Sequence, residues 1–282
     1  MRRPRVALVI GSGGLRCAAA LGLWRVLARE AIPVDLVVGC SGGAIYGALI
    51  GLGWSPADAE RYNRRLWTGM FARYDWRSIA RALLARWRAF DHDFGIVDDS
   101  RINQALAELF GDKRFEDCRI PTFVVATDFL SGEKVVLSEG RLREAVRASI
   151  AIPIALRPWT IDGRVLHDGG MCDPLPVDVA VRERGDIIVA MGFRQALAKA
   201  IRSPLDLVMQ TSDITTAHLL HGTYAFYNLA HHAEVIPVLP EFDRAIGLGD
   251  VHLIDAIVAE GERATERELP YLKRLLEQSA AG

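Results

Sequence analysis

The sequence predicts an α/β fold with a mostly parallel central sheet that is flanked by helices on both faces. Short apolar runs alternate along the chain with longer helical segments, which is the order expected of such a sheet. Two of the apolar runs, residues 6–10 and 34–38, end in glycine-rich turns that lead directly into helical segments. The chain has 282 residues, 50% of them hydrophobic, so it can bury a sizeable core.

The elements follow in order from the apolar pattern and from the residues that bound each run. Short apolar runs bounded by glycine, proline or charged residues predict the strands, and longer apolar or amphipathic segments predict the helices. The predicted strands are residues 5–10, 34–38, 121–126, 134–137, 159–161, 165–166, 186–191 and 234–239. The predicted helices are residues 17–29, 44–52, a helix starting at Ser55, a helix ending at Phe110, and residues 142–149, 205–227 and 256–276.

Local signals define two of these boundaries. Ser55 is a good N-cap and Pro56 is a good first helical residue, so a helix should start there. Asp162-Gly163 lies between two β-type runs and favours a type I′ turn, which predicts a β-hairpin. The second strand of that hairpin leads directly to Asp168, which therefore lies at a strand end.

Charge and cysteine content argue against several classes of protein. The 34 Lys and Arg residues balance the 35 Asp and Glu residues to a net charge of −1, so nothing points to nucleic acid as a partner. The four cysteines form no C-x-x-C pair and fit no zinc pattern, which favours a reducing cytoplasm. The first apolar stretch is too short for a signal peptide, and no run is long enough to span a membrane.

Ser41 is the first candidate nucleophile, because it lies at the centre of a G-x-S-x-G pentapeptide, residues 39–43. An apolar strand before it and a small-residue helix after it are the context of a nucleophile elbow. The hydroxyl would then stand over a helix N-terminus, where N–H groups favour negative charge. The pentapeptide alone also fits a tight strand–helix turn of any α/β protein. Cys40 is a second candidate, but its side chain is expected to point away from the apex.

The glycine-rich turn after the first strand, residues 11–14, is interpreted as an anion-binding nest. A dinucleotide site is disfavoured, because Arg16 stands where the last glycine belongs and no acidic residue closes the second strand. The N–H groups of Gly13 and Gly14 can face an anion at close range. Arg16 has two open interpretations: it orients the loop or neutralises a phosphate, or it is a solvated arginine near a helix start.

A serine hydroxyl needs a base to accept its proton, and Asp168 is the favoured candidate. Asp168 leaves a strand and meets two glycines; desolvation beside Ser41 would raise its pKa toward neutrality. The D-G-G sequence is also a common turn. Among the histidines His252 is the best alternative base, and the others lack the carboxylates that a metal site would need. The later histidines are His218, His221, His231, His232 and His252.

Residues 61–90 have an unusual composition, in which arginines interleave with tryptophan, tyrosine and phenylalanine while acids are scarce. Basic helices with interfacial aromatic residues lie on anionic membrane surfaces. An ordinary helical cap with packed aromatics and solvated arginines has the same composition. Both interpretations stay open for this segment.

Together these motifs resemble the patatin-like phospholipases, specifically their short bacterial members. That family has a glycine-rich oxyanion loop, a G-x-S-x-G serine and a distant D-G-G or D-G-A aspartate. The matching segments are residues 12–17, 39–43 and 168–170, with further similarity at 126–128, 131–133, 148–153 and 174–177. Three positions depart from the family pattern: Ser12 and Cys17 replace glycines of the loop, and Asp173 stands where asparagine is common.

The resemblance implies a patatin-like three-layer sandwich and a serine hydrolase that cleaves acyl esters of lipids. Ser41 and Asp168 would form a catalytic dyad, N–H groups of Gly13, Gly14 and Gly42 would form the oxyanion hole, and Arg16 would contact the substrate or its headgroup. The resemblance implies no metal and no organic cofactor. The expected partner is a lipid acyl ester, with peripheral contact to the inner membrane surface from the cytoplasm.

Two other functions remain open from the sequence. The same acyl-enzyme would give an acyltransferase if the site excluded water and admitted another acceptor. A catalytically silent protein that binds a lipid or a protein partner would also keep the fold. For the domains we expect a hydrolase domain at residues 5–240, with a helical basic-aromatic cap at about 55–117. A C-terminal helical extension at residues 241–282 is expected to pack on the same domain.

Overall fold

A central sheet of eight strands organises the protein. The structure is a computed structural model that describes residues 3–68, 75, 80, 93–194, 197, 199–202, 204–230 and 233–281. The strands are β1 (Val6–Ile10), β2 (Leu36–Cys40), β3 (Thr122–Asp128), β4 (Lys134–Leu137), β5 (Trp159–Ile161), β6 (Arg164–Asp168), β7 (Ile187–Met191) and β8 (Glu234–Val238). Their order in the sheet is β5-β6-β3-β2-β1-β7-β8, with β4 paired to β3 beside that path.

The sheet is parallel in its centre and antiparallel at one side. Strands β3, β2, β1, β7 and β8 run parallel to one another, whereas β4 and β6 pair antiparallel with β3, and β5 pairs antiparallel with β6. Every residue of β1, β2 and β7 is buried. Such burial on both faces is why these strands appear in the sequence as continuous apolar runs.

Helices cover both faces of the sheet, as predicted. In the described part of the chain they are α1 (Ala19–Arg29), α2 (Gly42–Gly51), α3 (Pro56–Trp67), α4 (Ser100–Phe110), α5 (Leu142–Ser149), α6 (Val177–Arg182), α7 (Pro204–Ala230) and α8 (Ile254–Ala281). Helices α1, α2 and α8 share one core cluster with Leu8 and Val37 of the sheet. Helices α6 and α7 share a second cluster with Ala7 and Val38, which point to the opposite face.

The two local boundary predictions are confirmed. The Ser55 side chain accepts a hydrogen bond from the Asp58 N–H, and Pro56 is the first residue of α3. Asp162 and Gly163 have φ values of 49° and 78°, the positive pair that a type I′ turn requires.

Other boundaries differ from the prediction. Helix α1 begins at Ala19, because residues 14–18 form a 3₁₀ turn. Strand β2 continues to Cys40 because Gly39 pairs with Ile10 and Cys40 pairs with Val125.

The predicted basic-aromatic cap is only partly described. Residues 61–67 complete α3, while residues 69–92, except Asp75 and Ala80, lie outside the described residues. The C-terminal helix α8 packs on α1, where Arg25 Nη1 donates to Glu262 Oε1 at 2.8 Å. Within the described ranges, no helix combines the length and apolar character needed to cross a bilayer.

Candidate active site

Strand β3 brings Ser41 and Asp168 together, although 127 positions separate them in the sequence. Cys40 at the end of β2 pairs with Val125 of β3, and the next residue of β3, Ala126, pairs with Asp168 of β6. Ser41 and Asp168 therefore flank β3 at the same level. They line one pocket together with the loop that follows β1.

Ser41 lies at the apex of a strained turn between β2 and α2. Its φ of 54° and ψ of −130° are rare for a residue with a side chain and cost about 1–3 kcal/mol. The turn is also crowded, because a Cβ at Gly43 would lie 2.3 Å from the carbonyl oxygen of Ile10. The Ser41 N–H donates to Ser149 Oγ at 2.8 Å, and that hydroxyl donates to the Val125 carbonyl at 2.6 Å. These contacts hold the serine in its strained conformation.

The Ser41 hydroxyl donates a hydrogen bond to the carboxylate of Asp168, with 2.6 Å between Oγ and Oδ2. The Gly170 N–H donates to the other carboxylate oxygen at 2.8 Å. Burial raises the pKa of Asp168 from its ordinary value of 3.8 to about 6, although both hydrogen bonds act in the opposite direction. A carboxylate with a pKa near neutrality can accept the serine proton and later return it.

The glycine-rich loop lies against the elbow. Gly13 and Gly14 line the pocket with Ser41. Gly42 begins α2 and touches this loop, because a Cβ at Gly42 would lie 2.7 Å from the Gly14 carbonyl oxygen. The first N–H groups of a helix have no partner within the helix, so they can bind negative charge. The structure thus places Gly13 and Gly14 in one pocket with Ser41, and Gly42 directly after that serine.

The residues that depart from the family's glycine loop have defined places. Ser12 lines the pocket, and its N–H donates to the Pro174 carbonyl at 2.8 Å. Cys17 is buried beside Gly42, and its thiol donates to the Gly11 carbonyl at 3.4 Å. Burial raises the pKa of this thiol, so Cys17 stays neutral and fills space between loop and elbow.

Asp173, the third departure, is neutralised by a lysine. Lys134 Nζ donates to Asp173 Oδ2 at 2.8 Å and to Asp178 Oδ2 at 2.6 Å. The side chains are partly buried, which strengthens the attraction between their charges. A carboxylate is therefore accommodated where the family often has an amide.

Arg16 is buried, so the interpretation as a solvated arginine is wrong. Its Nε donates to the Gly13 carbonyl at 2.9 Å, which ties the guanidinium to the glycine-rich loop. Its Nη2 pairs with Asp213 of α7 at 2.6 Å, and the two side chains are 6% and 8% exposed. Arg16 thus links the loop to the helix that lies over the pocket.

The alternative catalytic residues that the structure describes do not line the pocket of Ser41. Cys40 is fully buried and donates to the Asp173 carbonyl, and burial raises the pKa of its thiol well above the ordinary value. His218, His221 and His252 are exposed and do not line the pocket. The pair 231–232 lies outside the described residues. Among the residues that the structure does describe, no cluster of three His, Cys, Asp or Glu side chains could hold a metal.

Two contributors to the site are not identified by the sequence patterns. Ser149 lies in a segment that resembles the family, but that pattern does not show that its hydroxyl bridges Ser41 and Val125. Asp213 has a detectable signal, because it is the only Asp, Glu, Lys or Arg between Leu207 and Ala230. A lone carboxylate in such a helix needs a buried partner or a special role, and here the partner is Arg16.

Comparison with known proteins supports the same family. The family model described as patatin-like phospholipase matches residues 8–181. An uncharacterized NTE family protein of Mycobacterium tuberculosis is 34% identical over 199 residues, which cover 71% of this chain and 52% of the relative. Patatin-like phospholipase domain-containing protein 7 of Rattus norvegicus is 32% identical over 189 residues, which cover 66% of this chain and 13% of the relative.

The fold agrees with a solved structure as well. VipD from Legionella pneumophila superimposes with a TM-score of 0.52 and 12% identity, covering 99% of this chain and 67% of VipD. The chain spans about half the length of the mycobacterial relative and a small part of the rat protein. Members of the matched family are lipid acyl hydrolases. With most of its sheet and both site motifs inside the matched region, the chain belongs to the patatin-like phospholipase family.

Proposed function

We propose that this protein hydrolyses acyl esters of lipids through a dyad of Ser41 and Asp168 and an acyl-enzyme intermediate. The observation that carries the proposal is the 2.6 Å hydrogen bond from Ser41 Oγ to Asp168 Oδ2 within a buried pocket. A nucleophile with a base at hydrogen-bond distance is the minimum that acyl transfer requires. Gly13 and Gly14, which line the same pocket, and the start of α2 at Gly42 support the same chemistry.

The proposed reaction has two halves. In the first, Ser41 Oγ attacks the acyl carbonyl carbon while its proton passes to Asp168. N–H groups of Gly13, Gly14 and Gly42 stabilise the oxyanion, and the loss of one such donor typically costs about 10²–10³ in rate. The C–O bond to the leaving alcohol then breaks, and Asp168 protonates that alcohol. In the second half, water gives a proton to Asp168 and attacks the acyl carbon. The bond between that carbon and Ser41 Oγ then breaks, Asp168 returns the proton to Oγ, and the fatty acid leaves.

In this mechanism Arg16 positions the oxyanion loop. Its hydrogen bond to the Gly13 carbonyl fixes the direction of the peptide that follows Gly13. Its second bond, to Asp213, occupies the guanidinium edge that would otherwise meet a phosphate. A role of Arg16 in binding a headgroup would therefore require this ion pair to separate.

Turnover of a p-nitrophenyl ester series, with trapping of the intermediate, tests the proposal. We expect release of p-nitrophenol and, after rapid acid quenching, a peptide containing Ser41 whose mass has increased by one acyl group. Hydrolysis without any acyl group on Ser41 would contradict the acyl-enzyme. Adding glycerol as a second acceptor distinguishes transfer from hydrolysis, because a transferase would form glyceride in place of free acid.

The raised pKa of Asp168 predicts the pH dependence of the reaction. The base acts only when ionised, so kcat/KM should rise about tenfold per pH unit below about pH 6 and level off above it. Initial rates with p-nitrophenyl butyrate between about pH 4.5 and 8 give the profile, and circular dichroism at each pH confirms that the protein is folded. A profile that is flat across about pH 6 would show that Asp168 is not the base.

A further inference from the structure

Helix α7 closes the pocket around Ser41. Met209, Ser212, Asp213 and Thr216 of α7 line the pocket opposite the serine. The pocket encloses about 30 Å³, which holds about two water molecules, whereas small-molecule sites usually measure about 300 Å³ or more. An acyl ester of a lipid cannot reach Ser41 unless a wall of this pocket moves.

The two halves of α7 are held differently. In the second half, Leu220 is buried against the sheet and the Tyr224 hydroxyl donates to the Ala190 carbonyl at 3.1 Å. In the first half, Val208 and Met209 lie partly buried against the main core cluster, and the ion pair between Asp213 and Arg16 joins the helix to the loop below. The residues of α7 that line the pocket all lie in this first half, so it is the wall that has to lift, with the second half as its anchor.

From Leu207 onward, the outer side of α7 exposes large apolar side chains among threonines and histidines, and it has no Asp, Glu, Lys or Arg. Leu207, Ile214 and Phe226 are 58%, 42% and 63% exposed. Because Asp213 is the only Asp, Glu, Lys or Arg from Leu207 to Ala230 and turns inward, this surface carries none of them. A surface helix in water normally shows charged residues on its outer face. An apolar face of this kind usually marks an interaction site.

Two loop residues extend this surface around the pocket. Met171 is 41% exposed and also lines the pocket, and Ile154, which is 51% exposed, follows the pocket residue Pro153. We call the set of Ile154, Met171, Leu207, Ile214 and Phe226 the α7 face. Its member Met171 also lines the pocket, so whatever covers this residue lies next to the site.

We infer that the α7 face docks on the surface of a lipid aggregate and that docking lifts the first half of α7 from Ser41. The lipid nature of the partner rests on the proposed function. Exposed large apolar side chains on a face without Asp, Glu, Lys or Arg match the acyl boundary of a bilayer, where the buried apolar area drives binding. The Arg16–Asp213 pair separates during this step, and in water the closed form is the more populated of the two, so soluble esters react during its brief openings.

This inference differs in its charge dependence from the interpretation of residues 61–90 as a membrane surface. A basic segment binds anionic lipid and releases it when salt screens the charges. The α7 face has no Lys or Arg, so its binding should require neither anionic lipid nor low salt. Lipid composition and salt concentration therefore distinguish the two surfaces.

The test uses sedimentation of the Ser41→Ala protein with vesicles at about pH 8, so that lipid is not consumed. We expect similar binding to pure phosphatidylcholine and to vesicles with about 30 mol% phosphatidylglycerol, and less than a twofold change in about 0.5 M NaCl. Adding Leu207→Glu and Ile214→Glu should weaken binding at least tenfold. Tyr62→Glu is the matched control, because Tyr62 is an exposed aromatic residue of α3 that lines a different hollow.

Three outcomes would overturn the inference: no binding to either vesicle, binding confined to anionic vesicles and lost in salt, or equal loss with Tyr62→Glu. Light scattering provides a further check. If the protein is a dimer and the variant with Leu207→Glu and Ile214→Glu is a monomer, the α7 face binds a second copy of the chain and not lipid. Failure of the proposed function is distinguishable. If the protein binds vesicles but Ser41 is never acylated, the docking surface is supported and the hydrolase function is contradicted.

Discussion

Replacing Ser41 by alanine is expected to lower kcat/KM for p-nitrophenyl esters by about 10⁴-fold or more, which leaves only background hydrolysis. Ser41 Oγ is the atom that would form the covalent bond, and its alignment comes from the strained turn and the 2.6 Å bond to Asp168. No other hydroxyl in the described pocket shares these two features. Alanine removes only Oγ, and the hydrogen bond from the N–H of residue 41 to Ser149 Oγ is retained.

A matched control is available inside the same pocket. Ser212 of α7 lines it but has no part in the proposed chemistry, so Ser212→Ala should change kcat/KM by less than about threefold. Circular dichroism and thermal unfolding show whether each variant is folded. If folded Ser41→Ala protein keeps more than a few per cent of the activity, another residue is the nucleophile and the dyad proposal is wrong.

The elbow can be predicted from the sequence because its cause is local. A strand that ends at Cys40, a helix that starts with Gly42 and the glycines on both sides of Ser41 are all encoded by neighbouring residues. The same holds for the type I′ turn at Asp162. Local backbone conformation follows from local residue types, so the amino-acid pattern alone is enough to predict these two turns.

The parts of the site that could not be predicted are tertiary contacts. Arg16 and Asp213 are 197 positions apart, and no local pattern pairs them. Ser149 meets Ser41 only because α5 packs beside the end of β2. The closed position of α7 has the same origin, since its sequence specifies a helix but not the pocket beneath it. Even Asp168, which the family pattern indicated, reaches Ser41 only through the register of β3 and β6.

Replacing Asp168 by asparagine should separate catalysis from stability. Asparagine keeps the shape and an acceptor for the Gly170 N–H, but it cannot take the serine proton. We therefore expect kcat/KM to fall by about 10²–10⁴-fold, the usual contribution of a general base. The remaining activity should lose the rise through about pH 6 that the wild-type protein shows.

Above about pH 6, Asp168→Asn is expected to raise the stability of the folded protein although it lowers the activity. Because burial raises the pKa of Asp168 from 3.8 to about 6, the folded protein binds this proton more tightly than the unfolded chain does. That contribution to stability is fully present below about pH 4 and is lost as the pH rises through about 6. Above that, the buried carboxylate costs about 3 kcal/mol. The amide of Asp168→Asn stays neutral, so the variant avoids this cost.

Urea unfolding of both proteins at about pH 4.5 and 8 measures the difference. The free energy of unfolding of Asp168→Asn, relative to wild type, should increase by about 2 kcal/mol between these pH values. Asp186→Asn is a suitable control, since it replaces a carboxylate that accepts from the Arg5 N–H near the sheet edge. If Asp168→Asn loses activity but its stability relative to wild type falls or stays constant as the pH rises, Asp168 has a structural role. Its carboxylate is then not the base with a raised pKa that the mechanism needs. A variant that loses activity and gains stability relative to wild type as the pH rises is expected only if Asp168 is a buried carboxylate. Such a carboxylate destabilises the fold and is needed for the reaction.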